Sequence, residues 1–328
     1  MRRREFIALL GGAAAWPLTA RAQQPERMRR IGVLMGYAED DPETKARLAA
    51  FRQRLERRGW MEGRKVHIEV RFAGGNPDRY QLLAKELIAL QPDVVLAHTT
   101  VAAVALQRET VTIPIIFVNV SDPVGSGFVA TLARPGGNLT GILHYEPGIV
   151  GKWLALLKEI APRTAHVAVV ANPKTTPFDY FLRAAEAAAP SLAITLTSNT
   201  VETAADIERA IGSFANATDR GLLFPPDSTA VLHRDLIIAL AARHRLPAVY
   251  PFDFFVPAGG LISYATDQVE MFRQTANYVD RILRGAQPAD LPVQVPTKYA
   301  TAINLKTAAA LGLTVPNTLL VAADEVIE

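Results

Sequence analysis

The sequence predicts an α/β protein of two similar three-layer α/β/α lobes, each built on a parallel sheet. Three observations predict it. Short apolar runs alternate with amphipathic stretches along nearly the whole chain, which is the pattern of a parallel sheet covered by helices on both faces. The series runs to about residue 141 and starts again near residue 149, so it builds two lobes, although no residue-level repeat relates them. A length of 328 residues also fits two domains.

In the first series, residues 31–35 form an apolar strand. Residues 44–58 form a helix, with Ala46, Leu48, Ala49, Phe51 and Leu55 set among Arg and Gln. Residues 66–72 alternate as a half-buried strand does. Residues 77–90 form a helix, with Asn76 as N-cap and Pro77 in the first turn. Then come a strand at 93–97, a helix at 101–109, a strand at 113–118 and a short helix at 128–133, closed by Arg134-Pro135-Gly136-Gly137-Asn138.

In the second series, helices fall at 149–160, 178–189, 204–214 and 230–243. Strands fall at 166–170, 193–197, 221–224 and 248–250. The tail adds a strand near 260–263, a long helix at 268–283, a proline-bounded extended piece at 291–297 and an apolar stretch at 306–311.

The N-terminus reads as an export signal. Arg2-Arg3-Arg4 leads into an apolar stretch at 7–18, shorter than the roughly 20 residues that span a bilayer. Ala20-Arg21-Ala22 then gives a small-x-small cleavage site, so residues 1–22 are expected to be removed. Arg3-Arg4-x-Phe6-Ile7 resembles a twin-arginine signal. No cysteine follows the cut, so a lipid anchor on cysteine is excluded.

Removing the signal changes the charge. The whole chain carries +3, and the four arginines and one glutamate of residues 1–22 account for all of it. A neutral mature chain gives no sign of a nucleic-acid partner or an anionic membrane surface. With no cysteine there can be no disulfide, thiolate metal site or Cys nucleophile. A chain of about 300 residues buries enough core without them.

Open parallel sheets bind ligands at the C-terminal ends of their strands. Here those loops read Gly36-Tyr37, His98-Thr99-Thr100, Asn119-Val120-Ser121-Asp122-Pro123, Asn172-Pro173, Pro225-Pro226-Asp227-Ser228 and Tyr250-Pro251-Phe252-Asp253. They are rich in hydroxyls, amides and aromatics. The bland alternative for each hydroxyl or carboxylate ahead of a helix is an N-cap.

The run PIIFVNVSDPVGSGFVATLARPGGNLTG at 114–141 resembles a signature of the solute-binding proteins of ABC importers, in the group that includes tryptophan and tyrosine binders. Ala258-Gly259-Gly260-Leu261-Ile262-Ser263-Tyr264 agrees, as do Ile303-Asn304-Leu305-Lys306-Thr307-Ala308 and Leu311-Gly312-Leu313-Thr314-Val315-Pro316. The resemblance covers about residues 28–328. It implies a type 1 periplasmic binding fold, with two lobes joined by three crossover strands and ligand between them. Crossings are expected near 140–145, 260–264 and 293–298. The first lobe is then 28–141 plus 265–292, and the second 142–262 plus 298–328.

An amino acid needs a carboxylate pocket, an ammonium partner and a side-chain slot. Helix starts with hydroxyls suit a carboxylate, which singles out Thr99, Thr100 and Ser121. The resemblance implies ligand contact at the first of these loops, where this chain carries His98 in place of the more usual small residue. Asn119 and Asn172 are further polar candidates. Asp227 is the first choice for an ammonium, ahead of Asp253 and Asp179, while Asp122 before Pro123 also suits a turn. Tyr37, Tyr145, Tyr180, Tyr250, Phe252 and Tyr264 could build an aromatic slot, although each could instead pack a core.

Gly125-Ser126-Gly127-Phe128-Val129-Ala130 matches a dinucleotide-binding G-x-G-x-x-A. It follows the fourth strand rather than the first, and the family resemblance explains its glycines as a turn. The sequence holds no G-x-S-x-G, H-E-x-x-H or P-loop, and its six histidines show no paired metal spacing. The expectation is a binding protein with no catalysis, metal or cofactor. Its partners are a small-molecule ligand and an ABC permease, without nucleic acid or a membrane anchor, and it should be a monomer. The alternatives are a ligand-sensing subunit of a membrane receptor and a secreted α/β enzyme.

Overall fold

The computed structural model describes residues 27–146, 148–217 and 219–328, so the export signal expected at 1–22 lies outside the described residues. In the first lobe, β1 (Arg29–Met35), β2 (Val66–Phe72), β3 (Val94–His98), β4 (Ile115–Val120) and β5 (Leu139–Leu143) form one sheet in the order β2-β1-β3-β4-β5. Every pairing is parallel. Three helices connect them: α1 (Pro42–Arg57), α2 (Arg79–Ala89) and α3 (Thr100–Glu109). Alternate residues of β1 enter different cores. Ile31, Val33 and Met35 join Leu48, Phe51 and Leu55 of α1, whereas Leu34 joins Tyr80, Leu83 and Leu87 of α2. A strand buried on both faces reads as an unbroken apolar run.

The second lobe repeats the plan. Its helices are α4 (Ile149–Ile160), α5 (Phe178–Ala188), α6 (Ala204–Phe214), α7 (Ser228–Leu232) and α8 (Arg234–Arg243). Its first strands are β6 (His166–Ala171), β7 (Thr195–Thr200), β8 (Arg220–Leu223) and β9 (Ala248–Tyr250). β10 (Ile262–Thr266) extends that sheet. α9 (Gln268–Leu283) follows, then β11 (Tyr299–Asn304), α10 (Leu305–Ala310), α11 (Asn317–Ala322) and β12 (Glu325–Ile327). The order is β12-β11-β10-β9-β8-β6-β7. All pairings are parallel except β10 with β11, which the sequence pattern did not mark.

α9 belongs to the first lobe by its packing. Asp267 caps it by accepting the Glu270 N–H at 2.8 Å. Its apolar stripe of Met271, Phe272, Ala276 and Val279 packs with Phe51 and Leu55. Each such side chain taken from water contributes about 1.5–3 kcal/mol. The chain therefore crosses between sheets three times: after β5, between β10 and α9, and before β11. Ile142 and Leu143 still pair in the first sheet, and Ala265 and Thr266 in the second. The sheet edges thus lie a few residues beyond the expected lobe limits.

Three expected helices differ. The one expected at 77–90 with Asn76 as N-cap starts at Arg79, and Asn76 Oδ1 accepts the Asp78 N–H ahead of it. Residues 128–133 form turns instead, because Phe128 donates its N–H to Pro123 and Ala130 to Pro135, across glycines at positive φ (Gly127, 72°; Gly136, 77°). The single helix expected at 230–243 is two, α7 and α8, broken at His233 (φ −107°, ψ 24°). Among the described residues no helix is long and apolar enough to cross a membrane.

Candidate ligand-binding site

The C-terminal ends of the two sheets face each other. On the first lobe, β3 ends at His98 and Thr99 caps α3, accepting the Ala102 N–H. Thr100 Oγ1 accepts the Ser121 N–H at 3.2 Å, tying the β3 loop to the β4 loop. Thr99 (φ 90°), Asn119 (φ 58°) and Asp122 (φ 47°) all sit in the left-handed region. That costs of order 1–3 kcal/mol each and concentrates at functional sites. For Thr, branched at Cβ, it is a clear outlier.

On the second lobe, Asp227 organises the strand ends. Its carboxylate accepts the Asn172 N–H at 2.7 Å and the Thr229 N–H at 2.9 Å, and also takes the Thr175 hydroxyl. Asn172 Nδ2 donates to Thr229 Oγ1 at 2.9 Å. Burial pushes the Asp227 carboxyl up to about 6 even though these hydrogen bonds pull it down.

Between the lobes lies a small cavity of about 20 Å³. The first lobe lines it with Tyr37, Thr99, Thr100, Asn119 and Ser121, and His144 adds a wall where the chain crosses. The second lobe contributes Thr175, Thr176, Pro177, Pro226, Asp227, Ser228 and Phe252. The cleft is shut over it. Arg234 Nη1 reaches Asp41 Oδ2 at 2.6 Å, Tyr80 Oη lies 3.5 Å from Ser228 Oγ, and the Tyr37 ring meets Phe252 edge-on at 6.5 Å.

The structure therefore brings Tyr37, Thr99, Thr100, Asn119, Ser121, Asp227 and Phe252 to one cavity and sets the other expected residues off it. His98 is buried behind the wall, edge-on to Tyr37 at 4.6 Å. Asp122 makes a turn by accepting the Gly125 N–H. Tyr145 stacks on His144 at 4.0 Å and donates its hydroxyl to the Pro251 carbonyl. Asn172 is spent on the Asp227 network. Tyr250 is a core ring between Phe224 and Phe255. Asp253 accepts the Phe254 N–H in a short 3₁₀ turn. Tyr264 stacks on Tyr299 at 5.1 Å, partly exposed beside Lys152. Asp179 and Tyr180 lie on α5, just past the cavity wall.

Sequence reasoning missed His144, Thr175, Thr176 and Ser228. One signal was available: Thr175-Thr176 precedes α5 as Thr99-Thr100 precedes α3. It also missed Arg47. This side chain is wholly buried, and Nε, Nη1 and Nη2 have no hydrogen-bond partner. Its guanidinium lies 5.1 Å from the Tyr37 ring centroid and 5.8 Å from that of Phe254, with the Glu43 carboxylate 3.8 Å away. Burial holds His98 and His144 well below the usual histidine range, and the Arg47 charge adds to the effect. Among the described residues, no group of three or more His, Asp or Glu side chains is placed to hold a metal ion.

Two α/β lobes meeting at a polar cavity between their strand ends define a solute-binding protein of the type 1 periplasmic binding fold. The chain belongs to the ABC transporter substrate-binding protein family, whose pattern it matches over residues 38–327. A tyrosine-binding protein of Clostridioides difficile is 25% identical over 263 residues, covering 80% of this chain and 75% of the relative. A Streptococcus pneumoniae ABC domain solved in complex with L-Trp superposes with a TM-score of 0.84 at 25% identity, covering 92% of this chain and all of that one. A conserved domain protein from Vibrio cholerae superposes at 0.85 with 29% identity and the same coverage.

Proposed function

We propose that the protein captures a small carboxylate-bearing solute, an amino acid or an aromatic carboxylate, and delivers it to the permease of an ABC importer. The observation that carries this reading is the polar cavity lined from both sheets by hydroxyls, the Asn119 amide and the Asp227 carboxylate. At about 20 Å³ the cavity is far smaller than the roughly 300–1,000 Å³ of ligand pockets, so in this reading the lobes part to admit the solute. The tyrosine and tryptophan in the names of two relatives point to the same ligand class.

In this reading Tyr37, Thr99, Thr100, Asn119, Ser121 and Asp227 contact the ligand, joined by Thr175, Thr176 and Ser228. A ligand touching both lobes favours the closed state by its differential affinity, and no chemical step follows. The lobes move about the three crossings, as rigid bodies close to the expected limits. The mature protein works outside the cytoplasm as a monomer, after export by the twin-arginine route and cleavage near Ala22.

A thermal-shift screen of amino acids, aromatic acids, sugars and nucleosides tests the ligand class. A tight binder raises the melting temperature by mass action. The expected result is a shift with a carboxylate. A clear shift with a neutral sugar, and none with any carboxylate, would refute the reading.

A further inference from the structure

We infer that His98 holds the Asn119 side chain with its NH2 group toward the cavity, as a hydrogen-bond donor for an oxygen of the ligand's carboxylate. The inference rests on the proposed reading of this cavity as the ligand site.

The argument starts from Gly36, whose backbone N–H donates to His98 Nδ1 at 3.2 Å. A backbone N–H can only donate, so Nδ1 carries no proton. An imidazole always keeps at least one, which must then be on Nε2. That N–H needs an acceptor, and the group beside it is the Asn119 amide, 3.0 Å away. The two ends of an amide are nearly the same size, and hydrogen bonding decides between them. With Nδ2 toward His98, two donors would face each other and the buried Oδ1 would stay unpartnered. Turned by a half-rotation, Oδ1 accepts from Nε2–H and the NH2 group becomes the free end.

That free end has a use. Asn119 is 5% exposed and lines the cavity beside Thr99, Thr100 and Ser121. Its backbone is held at φ 58°, a strained setting that Asn tolerates better than most residues. His98 is enclosed by the Tyr37 ring at 4.6 Å and the Phe272 ring at 5.5 Å. Burial keeps it neutral, and the nearby Arg47 and His144 act in the same direction. The donor end is therefore fixed across the working pH range. A donor here accepts a carboxylate and rejects an ammonium, while Asp227 on the opposite lobe does the reverse. An amino acid is thereby given a direction: carboxylate toward the first lobe, ammonium toward the second.

Two measurements test this. Nitrogen-15 NMR of histidine-labelled protein reads the tautomer without any ligand, with the His98 signal assigned by its loss in His98→Gln. The expected form is protonated on Nε2 alone; a form protonated on Nδ1, or a doubly protonated ring, overturns the inference. Calorimetry then compares L-tyrosine and L-tryptophan with tyramine and tryptamine, which lack the carboxylate. Asn119→Asp replaces the donor by an acceptor and should weaken the amino acids by about 10- to 100-fold. The preference for amino acid over amine should fall with it. Unchanged affinity and preference overturn the inference. Asn119→Ser, smaller and uncharged, serves if the aspartate variant does not fold: weakening in the same direction supports the inference, and unchanged binding overturns it. A wild-type protein that binds neither amino acid overturns the proposed ligand class instead, while the tautomer measurement still decides the amide's orientation.

Discussion

Asp227 serves structure and site together. It caps α7 and gathers Asn172, Thr175 and Thr229, yet it also lines the cavity. Burial raises its carboxyl from the ordinary 3.8 to about 6. Between those values the unfolded chain has released the proton while the folded protein keeps it. Stability is therefore full below the lower value and falls as pH rises through the upper one. A shift of about two units corresponds to roughly 3 kcal/mol. Urea midpoints should fall between about pH 4 and about pH 7, and Asp227→Asn should flatten that slope; equal slopes in both proteins would remove Asp227 from the account. Affinity for an amine-bearing ligand should rise over the same interval, because only the ionised carboxylate attracts an ammonium. Arg47 makes a second prediction. Replacing a buried ion pair by apolar side chains is often neutral or stabilising by about 1–4 kcal/mol, whereas removing one partner alone strands the other, here Glu43. Arg47→Met combined with Glu43→Leu should therefore leave the thermal midpoint unchanged or raise it. A lowered midpoint would mean that the contacts with Tyr37 and Phe254 outweigh the desolvation. The sequence could not show this burial. Arg47 reads as one more basic residue on an amphipathic helix until Phe254, from the far side of the chain, covers it.

At the scale of elements, the strands and long helices were legible because each carries its own period. The residues of 31–35 alternate between two cores, and 268–283 presents one continuous apolar stripe. What stayed hidden depends on hydrogen bonds between loops. The turn at 122–136 has the apolar content of a helix, but its N–H groups go to Pro123 and Pro135. Tyr250 and Tyr145 sit at strand ends as expected, yet their rings point into cores, which strand position alone does not determine. Gly141 shows how tightly β4 and β5 meet. A Cβ there would collide with the carbonyl oxygen of Phe117, and the residue lies at φ 158°. Gly141→Ala should destabilise the protein by at least about 2 kcal/mol, measured by denaturant unfolding. A change of a few tenths would show that β5 can shift without penalty.

At the scale of the whole molecule, one ion pair among the described residues spans the lobes. Asp41 and Arg234 are largely buried, with 11% and 24% of their side chains exposed, so the pair is better shielded than a surface bridge. Only the closed state can make it. Arg234→Ala should therefore shift the population toward opening and weaken ligand by about 3- to 10-fold. Small-angle scattering of the unliganded variant should show a larger radius of gyration. An unchanged radius and affinity would leave the pair without a role in closure. The cleft itself was readable as a set of strand-end loops. Which side chains meet across it was not, because that depends on the angle between two sheets built from distant stretches of chain.

The sequence has three tryptophans, and the expected cleavage removes Trp16. Of the remaining two, Trp60 lies on the first lobe, partly exposed, with Arg284 beside its ring. Trp153 is buried in the second lobe against Tyr145, the residue that follows the first crossing, and its indole N–H donates to the Tyr264 carbonyl at 2.9 Å. The molecule thus carries its own lamp at the joint. In a Trp60→Phe background the emission of Trp153 alone would report the bending of that joint, giving an optical record of solute capture with no dye attached.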